Sequence, residues 1–271
     1  MRKVITDELK SSIINFYRES PKSFSQVSEK FGLCLPTISK ILKDETKYLK
    51  AQIFNPEMIE DYFSIIDSEC KAYFLGLIIA DGNVFLDKSG NRQVSISITL
   101  DSNDKYILEK FKEELKTNTA ISNDGRGCSQ IAVRSNKMAT DLSKYGVVPN
   151  KSLITYLPLL TDDKFMPHLV RGIMDGDGSI FMKETDKKFI HAVSFCGSER
   201  LMNDLSSYLY NTLLLETKPS IYKYSDRNLS EIKIQKKDDI LKYGNWIYKD
   251  SSIYLLRKRE NYNLFLKHYS I

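Results

Sequence analysis

Two aspartates stand at the ends of two closely matched segments. In Phe74-Leu75-Gly76-Leu77-Ile78-Ile79-Ala80-Asp81-Gly82 the terminal acid is Asp81, and in Val170-Arg171-Gly172-Ile173-Met174-Asp175-Gly176-Asp177-Gly178 it is Asp177, 96 residues further on. Each segment is an apolar helical run with small residues four apart, Gly76 and Ala80 in the first and Gly172 and Gly176 in the second. A glycine inside a helix costs about 0.5–1 kcal/mol relative to alanine. Close approach of a second backbone offsets that cost, because a face of small residues lets two helices touch. If Gly76 and Ala80 face Gly172 and Gly176, the C-terminal ends lie side by side and bring Asp81 and Asp177 together. An acid opposes the dipole at a helix C-terminus, and two such acids repel. A divalent cation between them reverses the balance. Mg²⁺ (or Mn²⁺) takes oxygen ligands and needs only one or two carboxylates beside phosphate and water. A pair of such ions on one phosphate can stabilise both the attacking and the leaving oxygen. The backbone carbonyls of Ala80 and Gly176 complete the expected metal site. Gly82 and Gly178 are expected to end the helices in the left-handed conformation.

The elements that must position these acids repeat in the same order. After the first segment, Val94, Ile96, Ile98 and Leu100 alternate with Gln93, Ser95, Ser97 and Thr99, a strand with one apolar and one polar face. A helix is predicted near 103–116, strands near 120–123 and 129–135, and a helix near 137–145. After the second segment, strands are predicted near 179–184 and 189–196, a helix near 199–214, strands near 220–224 and 231–236, and a helix near 238–243. Lys144-Tyr145-Gly146 recurs as Lys242-Tyr243-Gly244, 98 residues on, so the two copies stay nearly in register. The fold class is α+β, two pseudo-symmetric αββαββα repeats with a small all-α domain at the N-terminus. The polar strand faces carry Gln93, Ser95, Ser97, Thr99 and Arg134 in the first repeat, and Ser194, Glu231, Lys233 and Gln235 in the second. Such side chains can read base edges, and a two-stranded ribbon fits the major groove.

Residues 1–45 read as three helices. Leu9, Ile13, Ile14 and Tyr17 recur at helical spacing. Ser23-Phe24-Ser25-Gln26 forms a capping box, Gly32 and Leu33 make a turn, and Pro36 suits the first turn of a third helix. Val27, Phe31, Leu33, Ile38 and Ile41 would form the core. The arrangement resembles a helix-turn-helix DNA-binding domain, with Thr37, Ser39, Lys40 and Lys43 towards the groove. Residues 46–67, with lysines and Asn55-Pro56, read as a linker. The repeats then take 68–160 and 161–271, with Asp67 or Ser68 capping the first acidic helix.

Composition narrows the class. The 271 residues carry a net charge of +5, a mild basic excess that suits a polyanion. Cys34, Cys70, Cys128 and Cys196 form no CxxC pair and no zinc spacing, which points to a reduced, cytoplasmic setting. His168, His191 and His268 show no metal spacing. Asp175-Gly176-Asp177-Gly178 is not a calcium loop, since Ile180 and Phe181 follow where ligands should stand. No stretch is long and apolar enough to span a bilayer, and no signal peptide is evident.

The two acidic segments resemble the LAGLIDADG (dodecapeptide, DOD-type) homing endonucleases in their single-chain, two-motif form. Gly76, Leu77, Ile78, Ala80, Asp81 and Gly82 fit the first motif, and Gly172, Ile173, Asp175, Asp177 and Gly178 the second. Ile79 and Arg171 depart from it, standing where an acid and a small residue are usual. The resemblance implies a β-saddle over a long double-stranded DNA site, in a monomer. The abundance of lysine, asparagine and isoleucine suggests an A·T-rich source genome, with a nucleoid-associated setting in the cytoplasm of a bacterial or phage host cell, or in an organelle. The resemblance also implies Mg²⁺-dependent hydrolysis with Asp81 and Asp177, giving short 3′ extensions, and a lysine following the last helix of each repeat. Lys151 fits that place in the first repeat. In the second, repeat spacing points to Lys249, whereas the run Ile253–Arg259 favours Lys258, which is preferred. Rival readings are a DNA-binding transcription regulator without catalysis and a maturase that grips intron RNA. An intein is disfavoured because the chain lacks a terminal His-Asn pair.

Overall fold

In the computed structural model, the described residues are 5–18, 24–43, 57–86, 94–185, 189–226 and 228–271. They fall into two compact units, Met1–Met58 and Ile59–Ile271.

In the first unit, α1 (Asp7–Arg18), α2 (Phe24–Phe31) and α3 (Leu35–Ile41) enclose Ile13, Tyr17, Val27, Leu33, Ile38 and Leu42. The α2–α3 turn is tight. Gly32 takes a positive φ of 60°, and Leu33 is held by its N–H on the Ser28 carbonyl and by the Ser28 hydroxyl on its own carbonyl. Pro36 lies in the first turn of α3. The expected capping residue Ser23 lies outside the described residues.

The second unit repeats one pattern twice. The first half runs α4 (Glu69–Asp81), β1 (Gly82–Leu86), β2 (Val94–Asp101), α5 (Lys105–Glu114), β3 (Ser122–Asn123), β4 (Cys128–Arg134) and α6 (Asn136–Ser143). The second runs α7 (Met166–Asp177), β5 (Gly178–Glu184), β6 (Phe189–Gly197), α8 (Glu199–Leu213), β7 (Ile221–Lys223), β8 (Ser230–Ile234) and α9 (Lys237–Tyr248), and closes with α10 (Leu256–His268). Among the described residues each half makes a four-stranded antiparallel sheet, ordered β1-β2-β4-β3 and β5-β6-β8-β7. Alternation explains the layering. Ile96, Ile98, Leu100, Ile131 and Val133 point into one core, and Ile180, Val193, Phe195, Ile232 and Ile234 into the other. Ser68 caps α4 by accepting the Lys71 N–H. Among the described residues no helix is long and apolar enough to cross a membrane.

The stretch expected as a linker needs correction at its C-terminal end. Tyr62 and Phe63 are buried, Phe63 packs near Phe111 of α5, and the Tyr62 hydroxyl donates to Glu114. Residues from 59 onward therefore belong to the second unit.

Candidate active site

Helices α4 and α7 pack backbone to backbone. A methyl group added at Gly76 would lie 2.0 Å from the Leu169 carbonyl oxygen, and one at Gly172 would lie 2.0 Å from that of Tyr73. One added at Gly176 would lie 2.4 Å from the Ala80 Cβ and 3.2 Å from Asp81 Oδ2. The four small residues thus meet as expected, and the last contact sets the Asp81 carboxylate against the residue preceding Asp177. The glycines after the acids have a different reason from the expected one. Gly82 and Gly178 are extended, with φ of −74° and −101°. A side chain at Gly82 would strike the Ile78 backbone at 2.6 Å, and one at Gly178 the Met174 side chain and carbonyl at 2.4 and 2.7 Å. Glycine here relieves contact with the preceding turn and leaves the chain free to enter a strand at once.

Asp81 and Asp177 remain exposed on their solvent side. Desolvation between the helix ends raises Asp81, against the pull of Lys258 and, less strongly, Lys151. Desolvation and then repulsion from Asp81 push Asp177 up to about 6. Among the described residues no three His, Cys, Asp or Glu side chains converge on a common point. A divalent ion here would therefore rest on these two acids, main-chain carbonyls, and phosphate or water oxygens. That donor set suits Mg²⁺, which binds few protein carboxylates.

Two buried lysines flank the acids. Lys151 Nζ donates to the Ile79 carbonyl at 2.7 Å and the Ala80 carbonyl at 3.2 Å. Lys258 Nζ donates to the carbonyls of Met174 (2.5 Å), Asp175 (2.7 Å) and Gly178 (2.7 Å). Both ammonium groups satisfy free carbonyls at a helix C-terminus, where the dipole favours positive charge. Burial lowers Lys151, and it pushes Lys258 down to about 8. Lys249 is exposed at the end of α9, so of the two second-half lysines only Lys258 reaches the helix ends. Each lysine is thus seated on the helix end of its own half, and the charge of both favours the ionised form of both acids.

Asp175 and Arg171 stand in the second motif, but their partners around this centre are not evident from the sequence. The Asp175 carboxylate accepts from the Tyr73 hydroxyl and the Leu255 N–H, both at 2.8 Å. Arg171 is fully buried, and its guanidinium donates to the carbonyls of Ile253 and Ile247 and to Glu69. The available signal was a charge inside an apolar motif, which a core accepts only with partners.

The strand faces need two corrections. Ser95 and Ser97 share a face with Thr99 and Arg134, as expected, but both are buried. Each is a short side chain on a central strand, flanked by Phe85 and Arg134 or by Asn83 and Ala132. The open part of that face is Thr99, Arg134 and Gln130, with the Gln130 amide donating to Thr99. In the second sheet Ser194 pairs with Lys233, which is exposed and ion-paired with the buried Glu231. Gln235 is exposed just beyond β8, and Gln93 lies outside the described residues. In the first unit Ser39, Lys40 and Lys43 are exposed, while Thr37 is half-buried beside Cys34. Lys43 lies past the end of α3.

This arrangement matches solved structures along most of the chain. The chain is similar to the LAGLIDADG homing endonuclease I-SmaMI bound to cleaved DNA, with a TM-score of 0.55 and 14% identity over 75% of this chain and 89% of that one. A mutant form of I-SmaMI superposes with a TM-score of 0.56 and 15% identity over 73% and 92% of the two chains. The LAGLIDADG meganuclease I-AabMI, bound to uncleaved DNA, gives 0.51 and 14% over 72% and 88%. The chain therefore has the fold of the LAGLIDADG homing endonucleases. In sequence, it is 26% identical over 154 residues to the DNA-directed RNA polymerase subunit Rpo1C of Methanocaldococcus jannaschii, a match that takes in 54% of this chain and only 16% of that protein. No protein-family model matches.

Proposed function

We propose that this chain is a site-specific endonuclease that cuts both strands of a long duplex DNA target with Mg²⁺. The observation that carries this reading is the juxtaposition of Asp81 and Asp177 at touching helix ends, open to solvent and flanked by Lys151 and Lys258. Asp81 and Asp177, with the carbonyls of Ala80 and Gly176, would hold the metal. A carbonyl has two lone pairs, so Ala80 can serve both Lys151 and an ion. When bound, the ion supplies Lewis-acid stabilisation of charge on the phosphodiester oxygens. The lysines supply fixed positive charge beside the reacting phosphate without reorganising. With Lys151 on the end of α4 and Lys258 on the end of α7, each strand's site would draw its fixed charge from one half. The outer sheet faces, through Thr99, Gln130, Arg134, Ser194, Lys233 and Gln235, would lie along the duplex. The first unit would add a second DNA contact through Ser39, Lys40 and Lys43.

The test uses a supercoiled plasmid carrying the junction sequence left when the reading frame is removed from its locus. Cleavage is expected with Mg²⁺, is abolished by EDTA, and falls by about 100-fold or more in Asp81→Asn and in Asp177→Asn, while binding persists. Tight binding of the junction with no cleavage by the wild-type protein would overturn the reading in favour of a regulator.

A further inference from the structure

The two lysines reach their places by different means. Lys151 follows α6 by eight residues, through a left-handed Asn150 with φ of 60°. Lys258 follows α9 by ten residues and lies in the first turn of α10. That helix has no side-chain cap of its own, because Leu255 occupies the capping position. Its first N–H groups are satisfied from elsewhere. The Leu255 N–H is taken by Asp175 and the Leu256 N–H by the Tyr106 hydroxyl, at 2.8 and 2.7 Å.

The segment leading to α10 is clamped in the same way. Glu69, the first residue of α4, accepts the N–H and hydroxyl of Ser252 at 2.7 Å each and the N–H of Ile253 at 3.2 Å. Its carboxylate also pairs with Arg171 at 2.7 Å. Arg171 in turn holds the Ile253 carbonyl at 2.8 Å and the Ile247 carbonyl at 2.6 Å. Tyr73 fixes the Asp175 carboxylate from α4. Offset by 96 residues, the first-half counterparts of Arg171 and Asp175 are Leu75 and Ile79, both buried in the apolar core. Among the described residues the clamp therefore has no first-half copy of its Arg171 and Asp175 members beside Lys151.

We propose that Glu69, Arg171, Tyr73 and Asp175 are positioning residues that hold residues 252–255 so that Lys258 is delivered to the end of α7, and that cutting of one strand depends on them while cutting of the other does not. The proposal rests on the endonuclease reading above. Its energetic logic is geometric. A fully buried Arg171 retains its place only while its donors are matched; two of the bonds that match it, to the Ile253 carbonyl and to Glu69, also fix the strap, and the others go to the Ile247 carbonyl and His168. Losing them leaves Lys258 on a mobile helix start, and a displacement of about 1 Å at a reacting group can cost about 100-fold in rate.

The experiment is strand-resolved cleavage of the junction plasmid by the full chain, with each strand read out on a denaturing gel. Glu69→Gln and Tyr73→Phe should each slow one strand by about tenfold or more, the same strand that Lys258→Met slows, and leave the other within about twofold. Nicked circles should accumulate, and amide exchange across 252–258 should quicken without a matching change in α4. Equal slowing of both strands, or no slowing of either, in protein whose wild type cuts both would overturn the proposal and leave the endonuclease reading intact. Wild-type protein that binds the junction and cuts neither strand removes the reading itself. If Glu69→Gln does not fold, Ser252→Ala, at an exposed residue, removes one strap donor and should bias the strands in the same direction.

Discussion

In the proposed site Asp177 carries an electrostatic cost as well as its assigned chemistry. Its ordinary value is 3.8, and desolvation with repulsion from Asp81 lifts it to about 6. Between those values the native chain binds more protons than the unfolded one, so stability falls as pH rises through that window and levels off above it. Because the carboxylate is exposed, the slope should be shallow. In EDTA, thermal unfolding of Asp177→Asn is expected to lose this slope and to occur at a higher temperature than wild type at pH 7. A wild-type midpoint that rises between pH 4 and 6 no less steeply than that of the variant would contradict the raised Asp177 value. Adding Mg²⁺ at pH 7 should raise the wild-type midpoint and leave that of Asp177→Asn nearly unmoved.

At the scale of elements, the α4–α7 contact admits no side chain at its centre. Gly76→Ala and Gly172→Ala each place a methyl group 2.0 Å from a backbone carbonyl oxygen, which cannot yield as a flexible side chain would. Each is expected to destabilise the protein by about 3 kcal/mol, seen as a lower urea midpoint. This packing was legible in the sequence because small residues four apart, followed by an acid, have few other uses. The strands were legible by alternation, yet the burial of Ser95 and Ser97 was not, since it depends on the neighbouring strands and on Phe85 and Arg134. Repeat spacing alone misplaced the second lysine. Helix α9 has 12 residues where α6 has 8, and a longer strap follows it, so register is lost before Lys258. The Glu69 clamp joins residues over 180 apart in the chain, and no local pattern announces such a bond. Arg171 hinted at it by departing from the motif.

Across the whole molecule, the mild basic excess and the exposed lysines of the first unit bear on the proposed DNA complex. Lys40→Ala and Lys43→Ala are expected to weaken binding evenly across sequences and to flatten the plot of log affinity against log salt by about one unit per lost phosphate contact, measured by titration at several ionic strengths. An unchanged slope would place those residues off the DNA. The second unit carries a different message in its two straps. After Lys151 the chain lays Thr155 against Ser198 and Leu157 against Asp204 of the second half. Before Lys258 the strap lies against Tyr106 of the first half, and Arg257 pairs with Asp104. Each half is thus fastened by a ribbon belonging to the other. A chimera that keeps one half and borrows its counterpart from another such protein would inherit mismatched fastenings. Designers who trade halves to build new specificities from this scaffold should exchange the ribbons and their anchoring helices α5 and α8 together.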